Sequence, residues 1–186
     1  TLKITSAMKM VASAKLHRAQ GAIENMLPYE RKLNDILSGF LSSEGASNSP
    51  YAEHREVERV AIVAVSSNSS LCGAFNANVA KKLQDTIEHT YGNFRKENIR
   101  IFAVGKKIAD VVRKMGFPSE GDFQHLSDKP SYKEAAQLAE KLMQMFLNHE
   151  VDRIELIYNH FKSVSTQVMT QETYLPISTE KKEHKG

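Results

Sequence analysis

The first part of the chain repeats apolar positions with the period of an α-helix. The repeated positions, spaced three or four residues apart, are Ile4, Ala7, Val11 and Ala14. Small side chains crowd the same stretch, so another helix could approach it closely. The helical pattern continues to about Leu41, with a bend expected at Pro28, because proline inside a helix removes a hydrogen bond. Residues 1–23 start without a capping signal, so we expect both the beginning of this helix and its partner helix to lie outside this chain.

Short apolar runs replace the helical pattern after a polar linker at residues 42–58. The runs VAIVAV (60–65) and IRIFAVG (99–105) are typical of strands buried on both faces. Residues 153–161 and 165–177 predict two further strands, joined by a connection too short for a parallel crossover and therefore antiparallel. Helices are predicted at 75–89, 106–116 and 131–149.

This order of strands and helices predicts an α/β fold. We expect a long amino-terminal helical arm followed by an open, mostly parallel, Rossmann-like sheet with one antiparallel edge strand. The expected divisions are an arm with its linker at 1–57, a central α/β domain at 58–178 and a loose charged tail at 179–186. The arm is half of a predicted coiled coil.

Composition favours a folded protein with one hydrophobic core. Apolar residues make up 41% of the chain, and no apolar run reaches the roughly 18–20 residues of a membrane span. The net charge of +3 equals the surplus within residues 1–41, so the arm should prefer an acidic surface unless it is simply a solvated helix face. The single cysteine, Cys72, excludes an internal disulfide and is expected to be a small core residue.

No residue pattern indicates catalysis, a cofactor or a metal. Ligands of open α/β sheets bind at the carboxyl ends of the parallel strands, which directs attention to the loop 66–73. That loop has neither a phosphate-binding glycine–lysine motif nor a dinucleotide-binding glycine motif, and it has no acidic metal ligand. No two histidines have the spacing of a helical zinc pair. Nucleic-acid binding is disfavoured, because residues 1–25 contain no aromatic side chain for base stacking.

Two sequence blocks together resemble a known family. KITSAMKMVASAKLHRAQ (3–20) is similar to the pattern K-I-T-x-A-M-x-M-V-A of the γ subunit of F-type ATP synthases. SSLCGAFNANV (69–79) resembles that family's second conserved block, in which a polar loop runs into leucine, cysteine and glycine. The order of the blocks and the gap between them also match, and the resemblance covers nearly the whole chain.

The resemblance implies a non-catalytic rotor shaft. In that family an amino-terminal helix pairs with a long carboxy-terminal helix, which is not found within residues 1–186. The shaft sits inside the ring of α and β subunits, and its foot meets the ε subunit and the c-ring. Its rotation couples ion flow to ATP synthesis on the β subunits. The implied location is peripheral, at the cytoplasmic face of a bacterial inner membrane, with the mitochondrial matrix face as the alternative.

The resemblance also nominates a surface for contacts with the β subunits. The candidate residues are Met8, Lys9, Lys15, Arg18, Asn68, Ser69 and Ser70. The last three stand where the family usually has an acidic residue, a basic residue and glycine, so the charged contact of the family is replaced here by neutral groups. The alternative interpretation is a small-molecule-binding α/β domain with a dimerising helical arm.

Overall fold

A four-stranded sheet with helices on both faces forms the body of the protein. The structure is a computed structural model and describes residues 8–9, 12–13, 15–16, 49–66, 73–121, 123, 132–161 and 167–177. In chain order, the main elements are β1 (Val60–Val65), α1 (Gly73–Asp85), β2 (Ile99–Val104), α2 (Lys106–Lys114), α3 (Tyr132–Leu147), β3 (Arg153–Phe161) and β4 (Gln167–Leu175). The predicted strands and helices of the central domain are confirmed to within a few residues, except that the helix predicted at 75–89 continues past Asp85 as a π-helical turn, Thr86–Thr90.

The strand order is β2-β1-β3-β4, and three of the four strands are parallel. The central strand β1 pairs parallel with both neighbours, so that Val60 lies opposite Ile99 on one side and Arg153 on the other. β4 runs antiparallel to β3 and closes one edge of the sheet. The expectation of a mostly parallel sheet with an antiparallel edge is therefore confirmed.

Every residue of β1 is buried, as a strand covered on both faces requires. Successive side chains point to opposite faces of the sheet. Ala61, Val63 and Val65 join a cluster with the apolar side of α3, here called the α3-side cluster. Val60, Ile62 and Ala64 join a second cluster beneath α1 and α2, here called the α1/α2-side cluster. The molecule therefore has three layers, with the sheet in the middle.

The described residues of the amino-terminal arm belong to the outer layer on the α3 side. Residues 8–9, 12–13 and 15–16 are helical. Met8, Ala12 and Leu16 are spaced four residues apart, and all three are buried in the α3-side cluster. This helix face therefore has a partner within the chain, whereas the sequence pattern predicted a partner for a different face of the helix.

The other apolar stripe of the arm lies outside the described residues. That stripe, predicted to face a second helix, consists of Ile4, Ala7, Val11 and Ala14. The divisions after residues 57 and 178 stay predictions. The packing of Met8, Ala12 and Leu16 means, however, that the arm and the central domain share one hydrophobic core.

Candidate functional site: the amino-terminal helix and the carboxyl edge of the sheet

The amino-terminal helix is held against the central domain by apolar, polar and ionic contacts. Beneath it, Leu138, Ala139 and Leu142 of α3 are buried in the same cluster as Met8 and Leu16. The hydroxyl of Tyr174, on β4, donates a hydrogen bond of 2.7 Å to the carbonyl oxygen of Ala12.

Three of the predicted contact residues lie on this helix within the described part of the chain. Met8 is fully buried in the interior of the chain, so the expectation that it belongs to an exposed partner surface is wrong for this structure; its apolar side chain packs beneath the helix instead. Lys9 is exposed, and its ammonium lies 3.2 Å from a carboxylate oxygen of Glu140. Lys15 is half-buried. Lys9, unlike Met8, therefore lies on the exposed side of the helix.

The other predicted contact residues fall outside the described residues. They are Arg18, Asn68, Ser69 and Ser70. Their role as a contact for a partner subunit therefore stays a prediction.

The carboxyl edge of the parallel strands is described up to Ser66, the first residue of the predicted loop. The Ser66 amide donates to the carbonyl of Val104 at 2.8 Å, and its hydroxyl accepts a hydrogen bond of 3.1 Å from the amide of Ile108 in the first turn of α2. One of the free amides at the start of α2 is thus capped from within the chain. Gly105 permits this close approach, because a Cβ there would collide with the Ser66 carbonyl.

A clamp centred on Arg55 ties the linker to the turn between α3 and β3. The guanidinium donates to the carbonyl oxygens of Phe146 and Val151, at 3.0 and 3.2 Å, and lies 2.6 Å from Nδ1 of His149. It also stacks over the Phe146 ring. His149 has a φ of 58°, a left-handed conformation that the clamp helps to hold. No local sequence pattern indicates this clamp, because Arg55 lies 91 residues from Phe146 and 96 residues from Val151.

The buried carboxylate of Asp152 completes the same junction. One of its oxygens accepts hydrogen bonds from the amides of Glu58 and Arg59, at 3.0 and 3.1 Å, immediately before β1 begins. Asp152 also lies 3.9 Å from the guanidinium of Arg55. A buried carboxylate is stable only when it is hydrogen-bonded or paired, and this one has both kinds of partner.

A second buried polar group lies on the opposite face of the sheet. The Glu155 carboxylate accepts a hydrogen bond of 3.0 Å from the side-chain amide of Gln171. It also lies 3.4 Å from the guanidinium of Arg153. Burial, and then the nearby charge of Glu155, raise the pKa of Tyr91 far above its ordinary value. The Glu155 carboxylate is thus hydrogen-bonded and paired between β3 and β4, which is a structural arrangement.

Two further features of the described residues have some of the properties of a ligand site. A cavity of about 320 Å³ lies between β2, α2 and the segment 117–123. Its charged side chains are already paired, Arg113 with Asp110 at 3.1 Å and Glu120 with Arg100 at 2.8 Å. Asp85, Glu88 and His89 place ligand-type atoms within 4.8 Å of one another, but all three are exposed. Neither feature has the buried, unpaired polar groups that a ligand site would present.

Comparison with known proteins gives the family. The sequence profile described as ATP synthase matches residues 1–186. The chain belongs to the ATP synthase family. It is 59% identical over 185 residues to the ATP synthase gamma chain of Phocaeicola vulgatus, a match that covers 98% of this chain and 64% of the relative. It is 62% identical over 180 residues to that of Bacteroides thetaiotaomicron, covering 95% of this chain and 59% of the relative.

The chain therefore spans about three fifths of the length of these relatives. Its fold also resembles a chain in the central stalk and c-ring structure of Tetrahymena thermophila mitochondrial ATP synthase. The TM-score is 0.52 at 22% identity, over 93% of this chain and 72% of that one. The resemblance to a γ subunit, first indicated by the two sequence blocks, is confirmed. Among the described residues, no helix is both long enough and apolar enough to cross a membrane.

Proposed function

We propose that this chain is the amino-terminal and central part of a rotor-shaft subunit of an F-type ATP synthase. The supporting observation is the match of the whole chain, residues 1–186, to the family, together with relatives named ATP synthase gamma chain. The subunit carries no catalytic residue of its own. It couples ion flow through the membrane sector to ATP synthesis on the β subunits, and it needs no cofactor or metal.

The proposed partners follow from the same relationship. The shaft lies inside the ring of α and β subunits, and its foot meets the ε subunit and the c-ring. The subunit is peripheral, at the cytoplasmic face of a bacterial inner membrane, as the bacterial origin of the relatives supports. No contact with nucleic acid is proposed.

A shaft has to keep its shape while it is turned. The packing of the amino-terminal helix supports this role, because Met8, Ala12 and Leu16 are buried in the core of the central domain. A close-packed interior has low compressibility and transmits strain. The helix and the domain are therefore suited to move together.

The proposed contact with β subunits uses the remaining nominated residues. They are Lys9, Lys15, Arg18, Asn68, Ser69 and Ser70. The exposed ion pair of Lys9 with Glu140 is of a kind that contributes little to stability, so a partner's acidic group can replace Glu140 at small cost.

Assembly of a chimera tests the proposal. The matching segment of the Phocaeicola vulgatus ATP synthase gamma chain is replaced by residues 1–186 of this chain and expressed with the other subunits of that complex. We expect the chimera to co-purify with the α and β subunits and with the c-ring, as the parent chain does. A chimera that folds but associates with none of them would contradict the proposal. In that case a thermal shift of the isolated chain on adding nucleotides or phosphate would favour the small-molecule-binding alternative.

A further inference from the structure

Tyr174 connects two parts of the chain that are far apart in sequence. Its side chain is 1% exposed, and its hydroxyl donates to the carbonyl of Ala12, a residue 162 positions away, at 2.7 Å. Tyr91, buried in the other layer, provides a comparison, because its hydroxyl has no hydrogen-bond partner in the structure. The two buried phenols thus differ in whether the hydroxyl makes a hydrogen bond between elements.

The residues on either side of Ala12 explain why the hydroxyl reaches the helix backbone at that point. On the buried face of the helix, the small side chain of Ala12 lies between the larger side chains of Met8 and Leu16. Sliding the helix by one turn, about 5.4 Å, would replace the methyl group of Ala12 by one of the longer side chains. A longer side chain there would hold the phenol away from the backbone.

Apolar contacts alone do not select one setting of the helix, that is, one position along its axis and one rotation about it. Burial of apolar surface is non-directional, so neighbouring settings with similar buried area compete with one another. A hydrogen bond depends strongly on distance and angle and therefore distinguishes these settings. The ion pair between Lys9 and Glu140 lies in the same region but is exposed and therefore weak.

The end of β4 also contacts the 3-10 turn Pro50–Ala52, which precedes the central domain. The amide of Ile177 donates a hydrogen bond of 2.8 Å to the carbonyl of Tyr51, whose own side chain is buried. The stretch 174–177 thus contacts both the amino-terminal helix and the 3-10 turn at Pro50–Ala52. The first contact holds the helix, and the second holds the 3-10 turn.

We propose that Tyr174 is a positioning residue that fixes the register and the rotational setting of the amino-terminal helix on the central domain. With the hydrogen bond in place, the helix and the domain turn as one body. If the chain acts as the proposed rotor shaft, Tyr174 is one of the points through which torque passes between them, and this clause alone depends on the proposed function.

Hydrogen exchange on the chain itself tests the proposal with Tyr174→Phe, which removes only the hydroxyl. We expect the amides of residues 8–16 to exchange roughly two- to twelve-fold faster, the range set by the net contribution of a hydrogen bond. The amides of β1 should keep their protection. Tyr91→Phe is the matched control in the other layer, and Ser13→Ala removes a buried hydroxyl without a partner on the helix itself. Neither control should accelerate exchange at residues 8–16, because each removes a buried hydroxyl that makes no hydrogen bond.

Three results would overturn the proposal. The first is an unchanged exchange rate at residues 8–16 in Tyr174→Phe. The second is an equal acceleration in the helix and in β1, which would show a general loss of stability. The third is the same effect in Tyr91→Phe. Because the experiment uses the chain alone, failure of the chimera to assemble would leave its result intact, and the two proposals can fail separately.

Discussion

The guanidinium carbon of Arg55 lies 4.1 Å from the centre of the Phe146 ring. The same group donates to the carbonyl of Phe146 itself, so one side chain both covers the ring and caps the end of α3. Arg55 stands in the linker before β1, and Phe146 stands in the last turn of α3. The contact therefore fixes the point at which the linker meets the central domain.

Replacing Arg55 by lysine should destabilise the protein. Lysine keeps the charge but has no planar fork, so it cannot bond the carbonyls of Phe146 and Val151 while it stacks on the ring. We expect a loss of about 1.5–3 kcal/mol in the free energy of unfolding, measured by denaturant titration. Arg113→Lys is the control, because that arginine is highly exposed and pairs only with Asp110 among the described residues. Equal losses in the two variants would show that the clamp is not a special contact.

Shortening Leu16 should destabilise the whole chain if the arm shares the core of the domain. Leu16 is fully buried, so Leu16→Ala removes apolar contacts and leaves a cavity. The expected loss is about 2–5 kcal/mol in the free energy of unfolding. Lys9→Ala, on the exposed side of the same helix, should change it by less than about 1 kcal/mol. Circular dichroism in urea measures both. A central domain that unfolds at the same midpoint in Leu16→Ala would restore the interpretation of the arm as a separate unit.

Two glycines with left-handed backbone should respond differently to substitution by alanine. Gly105 has a φ of 114° and Gly116 a φ of 84°, so alanine is strained at both positions by about 1–3 kcal/mol. At Gly105 the new Cβ also collides with the backbone carbonyl of Ser66, whereas at Gly116 it meets only the flexible end of Lys96. Gly105→Ala should therefore lower the melting temperature more than Gly116→Ala. The reverse order would mean that Ser66 does not lie against this turn.

Alkaline pH should weaken the fold through its buried tyrosines. Burial raises the pKa of Tyr51, Tyr91 and Tyr174 above the ordinary value of about 10. Below that pH their contribution to stability is fully present. Above it, the unfolded chain releases phenol protons that the folded chain retains, so the free energy of unfolding falls by up to about 1.4 kcal/mol per pH unit for each tyrosine.

The variant Tyr91→Phe isolates one of these contributions. Its free energy of unfolding should fall less than that of the original chain between about pH 9 and about pH 11. Comparing the two proteins removes the effect of lysines, which titrate in the same range. An identical fall in both would show that the phenol of Tyr91 is accessible to solvent in the folded protein.

The sheet was predictable from the sequence because each strand is indicated by a pattern within a few neighbouring residues. VAIVAV has no polar residue, which fits a central strand between two helical layers, and the short connection after Phe161 forces an antiparallel pair. The end of α2 was predictable from a single residue, because Gly116 has the positive φ that is typical of the residue after a helix.

The packing of the amino-terminal helix was only half predictable. The helix is apolar on more than one side, and periodicity alone does not say which side meets which partner. The stripe chosen from the sequence omits Met8 and Leu16, which the structure buries. Their four-residue spacing with Ala12 was the available signal. The Arg55 clamp and the caps from Asp152 and Ser66 join residues distant in sequence, so no local pattern indicates them.

Observation of rotation is the most direct test of the proposed role as a rotor shaft. In the chimera, Cys72 is replaced by alanine and Lys114, exposed on α2, by cysteine, so that a probe can be attached to the central domain. The ring of α and β subunits is immobilised, and the probe is watched while ATP is supplied. The proposal of a rotor shaft predicts sustained rotation in one direction, which stops when ATP is removed. A complex that assembles and hydrolyses ATP while the probe stays still would contradict it.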